Sequence, residues 1–151
     1  MALYRSHGHT DVGRVRKHNE DAFIIDENLH LYVVCDGLGG HAAGEVASEE
    51  TVYTIRAWVR RELSKIEGLL VDPYDQELQA QAEKILATAV QAATYMVHSM
   101  AEFDETKAGM GTTTSVLLLL GRVAVVAQVG DSRIYLARDG QIAQITDDHT
   151  L

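Results

Sequence analysis

Val33-Val34-Cys35-Asp36-Gly37-Leu38-Gly39-Gly40-His41 decides how this chain is read. Leu31 to Cys35 is a short apolar run rich in β-branched residues, and Asp36-Gly37 ends it, so it predicts a buried strand. Three glycines within four residues then allow a tight turn and a close approach of the backbone to another group. Asp36 is placed at a strand end, beside exposed backbone groups. Hard cations favour that arrangement, because they take carboxylate and carbonyl oxygens as ligands. A plain strand–turn–helix corner with a capping Asp fits the same residues. The stretch alone leaves both readings open.

Working outward, Ala22 to Asp26 and Leu31 to Cys35, joined through Glu27-Asn28, predict a hairpin. Leu3 to His9 predicts a first strand, and the polar stretch Thr10 to Glu20 a loop. From Ala42 a helical pattern begins: Val46, Val52, Ile55, Val59, Leu63 and Ile66 line one face, with Arg60, Arg61, Glu62 and Lys65 mainly opposite, and Gly68 stops it. Val71 to Tyr74 is a break. A second helix follows from about Gln76 to about Phe103, with Leu78, Ala82, Ile85, Ala89, Ala93, Met96 and Met100 as its stripe and the methionines as core filler. Glu102 to Gly111 reads as a surface loop. Thr112 to Leu120 and Val123 to Val129 flank Gly121-Arg122, and Arg133 to Arg138 and Gln141 to Ile145 flank Asp139-Gly140: two further hairpins. Short links impose antiparallel pairing. The run Val116 to Leu120 reads as buried on both faces. The expected class is α+β, an antiparallel sheet pair with helices packed outside.

The chain has 151 residues, 46% of them hydrophobic, enough for one domain with a real core. Its formal net charge of −9, from 22 acidic and 13 basic residues, argues against a nucleic-acid partner, which needs a basic face. The single Cys35 excludes an internal disulfide and a Cys-based zinc site and predicts a reducing compartment, the cytoplasm. Met1 to His7 shows no signal-peptide core, and no apolar run is long enough to span a membrane. There is no internal repeat or low-complexity tract. The acidic cluster Thr146-Asp147-Asp148-His149, directly after a strand, leads to the expectation that residues 1–151 are the N-terminal portion of something longer.

Four polar clusters fall at strand ends or loops: Arg16 to Asp21, Asp36-Gly37, Gly130 to Arg133 and Asp147 to His149. Carboxylates converging at one rim repel unless a cation or protons neutralise them. Oxygen-only donors point to magnesium or manganese rather than zinc. Two such ions activate water and clamp a phosphate, and the planar fork of Arg16 can grip the phosphate oxygens. The spacing thus points to a metal-assisted hydrolase. The remaining polar and sulfur residues read as structural: His7, His9, His18 and His30 at the surface, His98 on the second helix, and Cys35 as a small buried hydrophobe.

Taken in order, Asp11-Val12-Gly13, Arg16 with Asn19-Glu20-Asp21, Asp36 to His41, Gly44-Glu45 with Ala47-Ser48, Gly111-Thr112-Thr113, Gly130 to Tyr135 and Thr146 to His149 resemble the metal-dependent Ser/Thr protein phosphatases, the type 2C or PPM family, in its bacterial branch. The resemblance covers essentially the whole chain. It implies an α–β–β–α sandwich of two mostly antiparallel sheets flanked by helices, incomplete here at the C-terminus. It implies hydrolysis of phosphoserine and phosphothreonine with two manganese or magnesium ions, a third weaker ion, phosphorylated proteins as substrates and a cognate Ser/Thr kinase as partner. By position, Asp36 would bridge two ions, the Gly37 carbonyl would bind one, Glu20 would hold the second, Arg16 would bind the phosphate, and Asp148 matches the third-ion position. Gly111 to Thr113 and Gly130 to Arg133 look structural, with Asp131 not a ligand. Where many eukaryotic members carry a His after the Asp-Gly pair, this chain has Leu38. His41, three residues on, is either an acid or a turn-stabilising residue. The family continues for roughly another hundred residues with two further metal-binding Asp residues. A rival reading from a different class keeps the fold without catalysis: a regulatory module docking on a kinase or a phosphoprotein.

Overall fold

The computed structural model of the protein describes residues 4–39 and 43–149. Strands β1 (Asp21–Asp26) and β2 (Leu31–Leu38) form the first hairpin, followed by α1 (Ala43–Glu62) and α2 (Gln76–Phe103), then β3 (Gly111–Thr112), β4 (Thr114–Leu120), β5 (Val123–Val129), β6 (Tyr135–Arg138) and β7 (Gln141–Gln144). A five-stranded antiparallel sheet runs in the order β1-β2-β4-β5 with β3 paired to β2, and β6-β7 is a separate antiparallel ribbon. The expected α+β class with two antiparallel sheets is what forms. Both helices pack with each other and with the five-stranded sheet.

The core follows from alternation. Leu31, Val33 and Cys35 on β2 and Val116, Leu118 and Leu120 on β4 point to the helix side and are buried. They meet Val52, Ile55 and Val59 of α1 and Ile85, Leu86 and Ala89 of α2. Each fully buried Leu, Ile or Val contributes about 1.5–3 kcal/mol of hydrophobic stabilisation. The opposite sheet face is only partly covered: Val34 is 53% exposed and Phe23 38%, and Leu117 and Leu119 are half-buried. The expected burial of Val116 to Leu120 on both faces is therefore corrected to one face.

Asp26 joins the first hairpin to α1. Its buried carboxylate accepts from Arg56 Nε at 2.6 Å, Arg60 Nη2 at 3.3 Å, and the backbone N–H groups of Asn28 at 3.2 Å and Leu29 at 3.1 Å. Burial opposes its ionisation. The Arg56 bond, the backbone donors and the Arg56 charge outweigh burial and lower its pKa. At the head of α2, Asp75 caps the helix by accepting from Leu78 N–H at 3.0 Å.

Several expectations are corrected. β2 does not end at Asp36; it runs on to Leu38, because Gly37 and Leu38 pair with Thr112 and Gly111 of β3. The segment after α1 is two 3-10 turns, Leu63–Lys65 and Glu67–Leu70, not α-helix. Leu63, Ile66 and Leu69 lie three apart, the 3-10 period, so this winding buries Ile66 and Leu69 fully. On α2 the stripe turns from Ala93 to Val97, leaving Met96 45% exposed rather than in the core. His30 is half-buried, edge-on to Tyr4 with ring centroids 5.1 Å apart, in a positive-φ turn at 51°. The strand expected at Leu3 to His9 is absent among its described residues, which find no strand to pair with. The Asp139-Gly140 hairpin holds, with both residues at positive φ (53° and 73°) as a two-residue turn of this type demands.

Candidate active site

The register of the first hairpin sets Asp21 directly opposite Asp36, on the sheet face away from the helices. Two hydrogen bonds to Thr113 fix Asp36 from the other side. Its backbone N–H donates to Thr113 Oγ1 at 3.0 Å, and Thr113 N–H donates to the Asp36 carbonyl at 2.9 Å. Thr113 Oγ1 also lies 2.7 Å from Ser132 Oγ, which draws in the turn after β5. Gln128 Nε2 shapes that turn by donating to the Gly130 carbonyl at 2.7 Å and the Ser132 carbonyl at 2.8 Å. The cluster that read as structural in the sequence thereby brings Asp131 near Asp36.

Gly37 holds the neighbouring pieces together. Its N–H donates to the Glu20 carbonyl at 3.1 Å. A Cβ at Gly37 would lie 2.1 Å from the Gly44 carbonyl oxygen and 2.6 Å from that of Glu20, so only glycine fits. A Cβ at Gly44 would in turn lie 2.7 Å from Glu20 Oε1. The Glu20 carboxylate therefore rests on the first turn of α1, where the helix dipole favours negative charge.

The electrostatics agree with this geometry. The pKa of Asp36 is raised, first by burial, then by the charge of Asp21 and a hydrogen bond with it, with Asp131 adding to the same effect; Arg16 alone opposes them. Arg16 sits on the exposed stretch 11–18. Cys35, one residue earlier, points into the core as expected, and burial pushes its thiol pKa up to about 11 against a weak hydrogen bond with Thr114. The acidic pair opens on a groove of about 470 Å³ bordered by Ser132, Phe23, Tyr32 and Val34. A larger groove, of about 690 Å³, lies between β5 and α2 around Tyr74 and Arg122 and holds none of the candidate residues.

The sequence-level candidates are thus only partly brought together. Asp36, Gly37, Arg16 and Glu20 gather around the β2 end. Asp148 does not join them here. Arg133 takes its carboxylate in a fork, Nε at 2.9 and 3.0 Å from its two oxygens and Nη2 at 2.5 Å, and Gln144 Nε2 adds a bond at 3.0 Å. The Arg133 bond holds the Asp148 pKa below the usual carboxylate range. His41 lies outside the described residues. Asp21 and Asp131 are additions of the structure; pairing the hairpin by counting back from its turn would have found Asp21.

Oxygen-only donors around a carboxylate of raised pKa fit a hard divalent cation in kind. Among the described residues, no three His, Cys, Asp or Glu side chains stand together as a cation cage. The donor type therefore fits, and the donors gathered by these residues are a partial set.

The class is a two-sheet α+β domain with carboxylates and an arginine collected at a strand end. The protein phosphatase 2C family model matches residues 5–151, and the chain belongs to that family. It is 36% identical over 146 residues to the serine/threonine phosphatase stp of Listeria welshimeri, covering 94% of this chain and 53% of that protein. Serine/threonine phosphatase Stp1 from Staphylococcus aureus superposes with a TM-score of 0.74 at 35% identity, over 93% of this chain and 52% of the other. The catalytic domain of the serine/threonine protein phosphatase PstP, solved in complex with two manganese ions, gives a TM-score of 0.73 at 34% identity, over 91% of this chain and 53% of the other. The chain spans about half the length of the relatives it matches.

Proposed function

We propose that these residues are the N-terminal portion of a protein phosphatase 2C domain that hydrolyses phosphoserine and phosphothreonine in proteins. The observation that carries the reading is the strand-end pairing of Asp36 with Asp21, with the charge of Arg16 opposing the acids around Asp36, in a chain of this family. Asp36 and the Gly37 carbonyl would hold divalent cations, with Glu20 serving the second ion. Manganese is the first candidate, since it occupies the related PstP catalytic domain. The chemistry such ions supply is Lewis acidity, which activates water near neutral pH and neutralises phosphate charge. Arg16 then orients the phosphate through its planar fork. Asp21 and Asp131 raise the negative potential around Asp36 and so favour cation binding over an empty site. Ser132 and Thr113 hold the Asp36 backbone, and with it the Gly37 carbonyl, in place.

Asp148 would contribute to a weaker third ion only after leaving Arg133, which makes the Arg133–Asp148 pair a gate on that position. Substrates are phosphorylated proteins, and a Ser/Thr kinase is the matching partner. A cytoplasmic setting is the reading that the unpaired Cys35 supports; no helix among the described residues is long and apolar enough to cross a membrane.

The test is phosphate release from a phosphothreonine peptide by the full-length protein with manganese, for the parent and for Asp36→Ala. Loss of most of the metal-dependent activity is expected on removing a ligand of the catalytic ions. Unchanged turnover would sink the assignment of Asp36. Absence of turnover in a folded parent would instead favour the non-catalytic docking module.

A further inference from the structure

The stretch 11–18 carries Arg16, yet all of its residues are exposed, and Val15 is 94% exposed. Among the described residues, no backbone hydrogen bond ties this stretch to another segment. Within the stretch, Gly13 N–H donates to Asp11 Oδ1 at 2.7 Å, with Gly13 at φ 74° in a turn over residues 13–15. The order of the stretch therefore comes from its two ends. There the side chains close a ring. Asn19 Nδ2 donates to Thr10 Oγ1 at 2.9 Å, Thr10 Oγ1 donates to Asp21 Oδ2 at 2.7 Å, and Asp21 N–H donates to Asn19 Oδ1 at 3.1 Å. The Thr10 hydroxyl thus accepts from one side of the loop base and donates to the other.

We propose that Thr10 and Asn19 are positioning residues, a clasp that closes the base of the 11–18 loop and holds Arg16 at the acidic pair. The clasp ends on Asp21, the partner of Asp36 in the hairpin register, so the loop and the carboxylates are set by one hydrogen-bonded unit. Thr10 needs a hydroxyl that both donates and accepts, which serine can supply and the isosteric valine cannot. Asn19 needs both halves of its amide, one to donate to Thr10 and one to accept from Asp21. Asp11 to His18 contributes nothing to the core, so the clasp serves the position of Arg16 rather than stability. The part that concerns Arg16 rests on the phosphate-binding role proposed above; the closure of the loop does not.

Limited trypsin digestion of the full-length protein separates the two. Arg14, Arg16 and Lys17 are cleavage sites inside the loop. Cleavage there is expected to rise about tenfold in Thr10→Val and Asn19→Ala, in keeping with the loss of one or two hydrogen bonds. Thr10→Ser should stay within about twofold of the parent. In phosphopeptide kinetics, Thr10→Val should act mainly by raising KM, with Thr10→Ser restoring it. Equal loop cleavage in parent, Thr10→Val and Asn19→Ala overturns the proposal. If Asn19→Ala unfolds the protein, shown by cleavage throughout the helices, Thr10→Val and Thr10→Ser decide, and equal loop cleavage in those two also overturns it. A loop freed in Thr10→Val and Asn19→Ala, together with a parent that lacks phosphatase activity, refutes the proposed function and leaves the clasp standing.

Discussion

Gly37→Ala is the most demanding perturbation of this architecture. The added Cβ would stand 2.1 Å from the Gly44 carbonyl oxygen and 2.6 Å from the Glu20 carbonyl oxygen, where real Cβ atoms keep beyond 3.0 Å. Both obstacles are backbone, so neither can swing aside as a long side chain would. The Gly44 carbonyl must retreat by about 0.9 Å, which means moving the start of α1. Overpacking of this kind costs about 1–3 kcal/mol. Loss of the Gly37 N–H to Glu20 bond adds about 1 kcal/mol. The expected destabilisation is therefore about 2–4 kcal/mol. It would be read as a lowered midpoint in guanidinium unfolding of the full-length protein at unchanged slope. Gly111→Ala is the control: its Cβ would meet only the Leu38 side chain, with Cδ1 at 3.5 Å and Cγ at 3.7 Å, both ordinary contacts, and a change within about 0.5 kcal/mol is expected. A Gly37→Ala change as small as the control would refute the claim that glycine is demanded by the approach of Glu20, α1 and β2.

Asp26→Asn should cost about 2 kcal/mol, less than for a fully buried pair, because Arg56 and Arg60 still reach water. Because the folded pKa of Asp26 is lowered, its stabilisation is fully present above the ordinary carboxylate value and is lost as pH falls through the lowered value. The gap between parent and variant in unfolding free energy should therefore close in acid; a gap that persists there contradicts the ion-pair account. Cys35, buried and with its pKa pushed up to about 11, should resist alkylation at pH 8 in the folded protein and react once unfolded, as followed by mass spectrometry. Rapid native alkylation would show that β2 is not packed as described. Arg133→Ala should free the Asp148 carboxylate and raise its pKa, measurable by NMR titration of that side chain, while an unmoved pKa would show that the fork does not hold it.

The elements that the sequence made legible are those where local pattern and tertiary burial agree. The alternation at Leu31, Val33 and Cys35, the α1 stripe through Val52, Ile55 and Val59, and the Asp139-Gly140 turn each specify one geometry, and each forms. The misreadings arise where a partner distant in sequence decides. Gly37 ends a strand in local terms, yet β3 arrives 75 residues later and extends it. Met96 fits a three-or-four step, but the true drift of the helix hands the buried position to Val97. At the site, Asp36, Gly37 and Arg16 are legible because glycine and charge punctuate a strand end, whereas the role of Glu20 comes only from the family resemblance. Asp21 follows from the hairpin register once it is counted back from the turn, whereas the approach of Asp131, which reads as structural in the sequence, depends on the Thr113–Ser132 contact, which no local spacing encodes. Asp148 shows the converse: order along the chain points to a third-ion position, while the fold commits its carboxylate to a nearby arginine.

Phosphate release from a phosphothreonine peptide, measured on the full-length protein with manganese and again with excess chelator, decides whether these residues serve divalent cations. Turnover with the metal, its loss with chelator, and its return on adding manganese back are expected. Turnover that persists undiminished in chelator would contradict the assignment of Asp36, Gly37 and Glu20 to divalent cations.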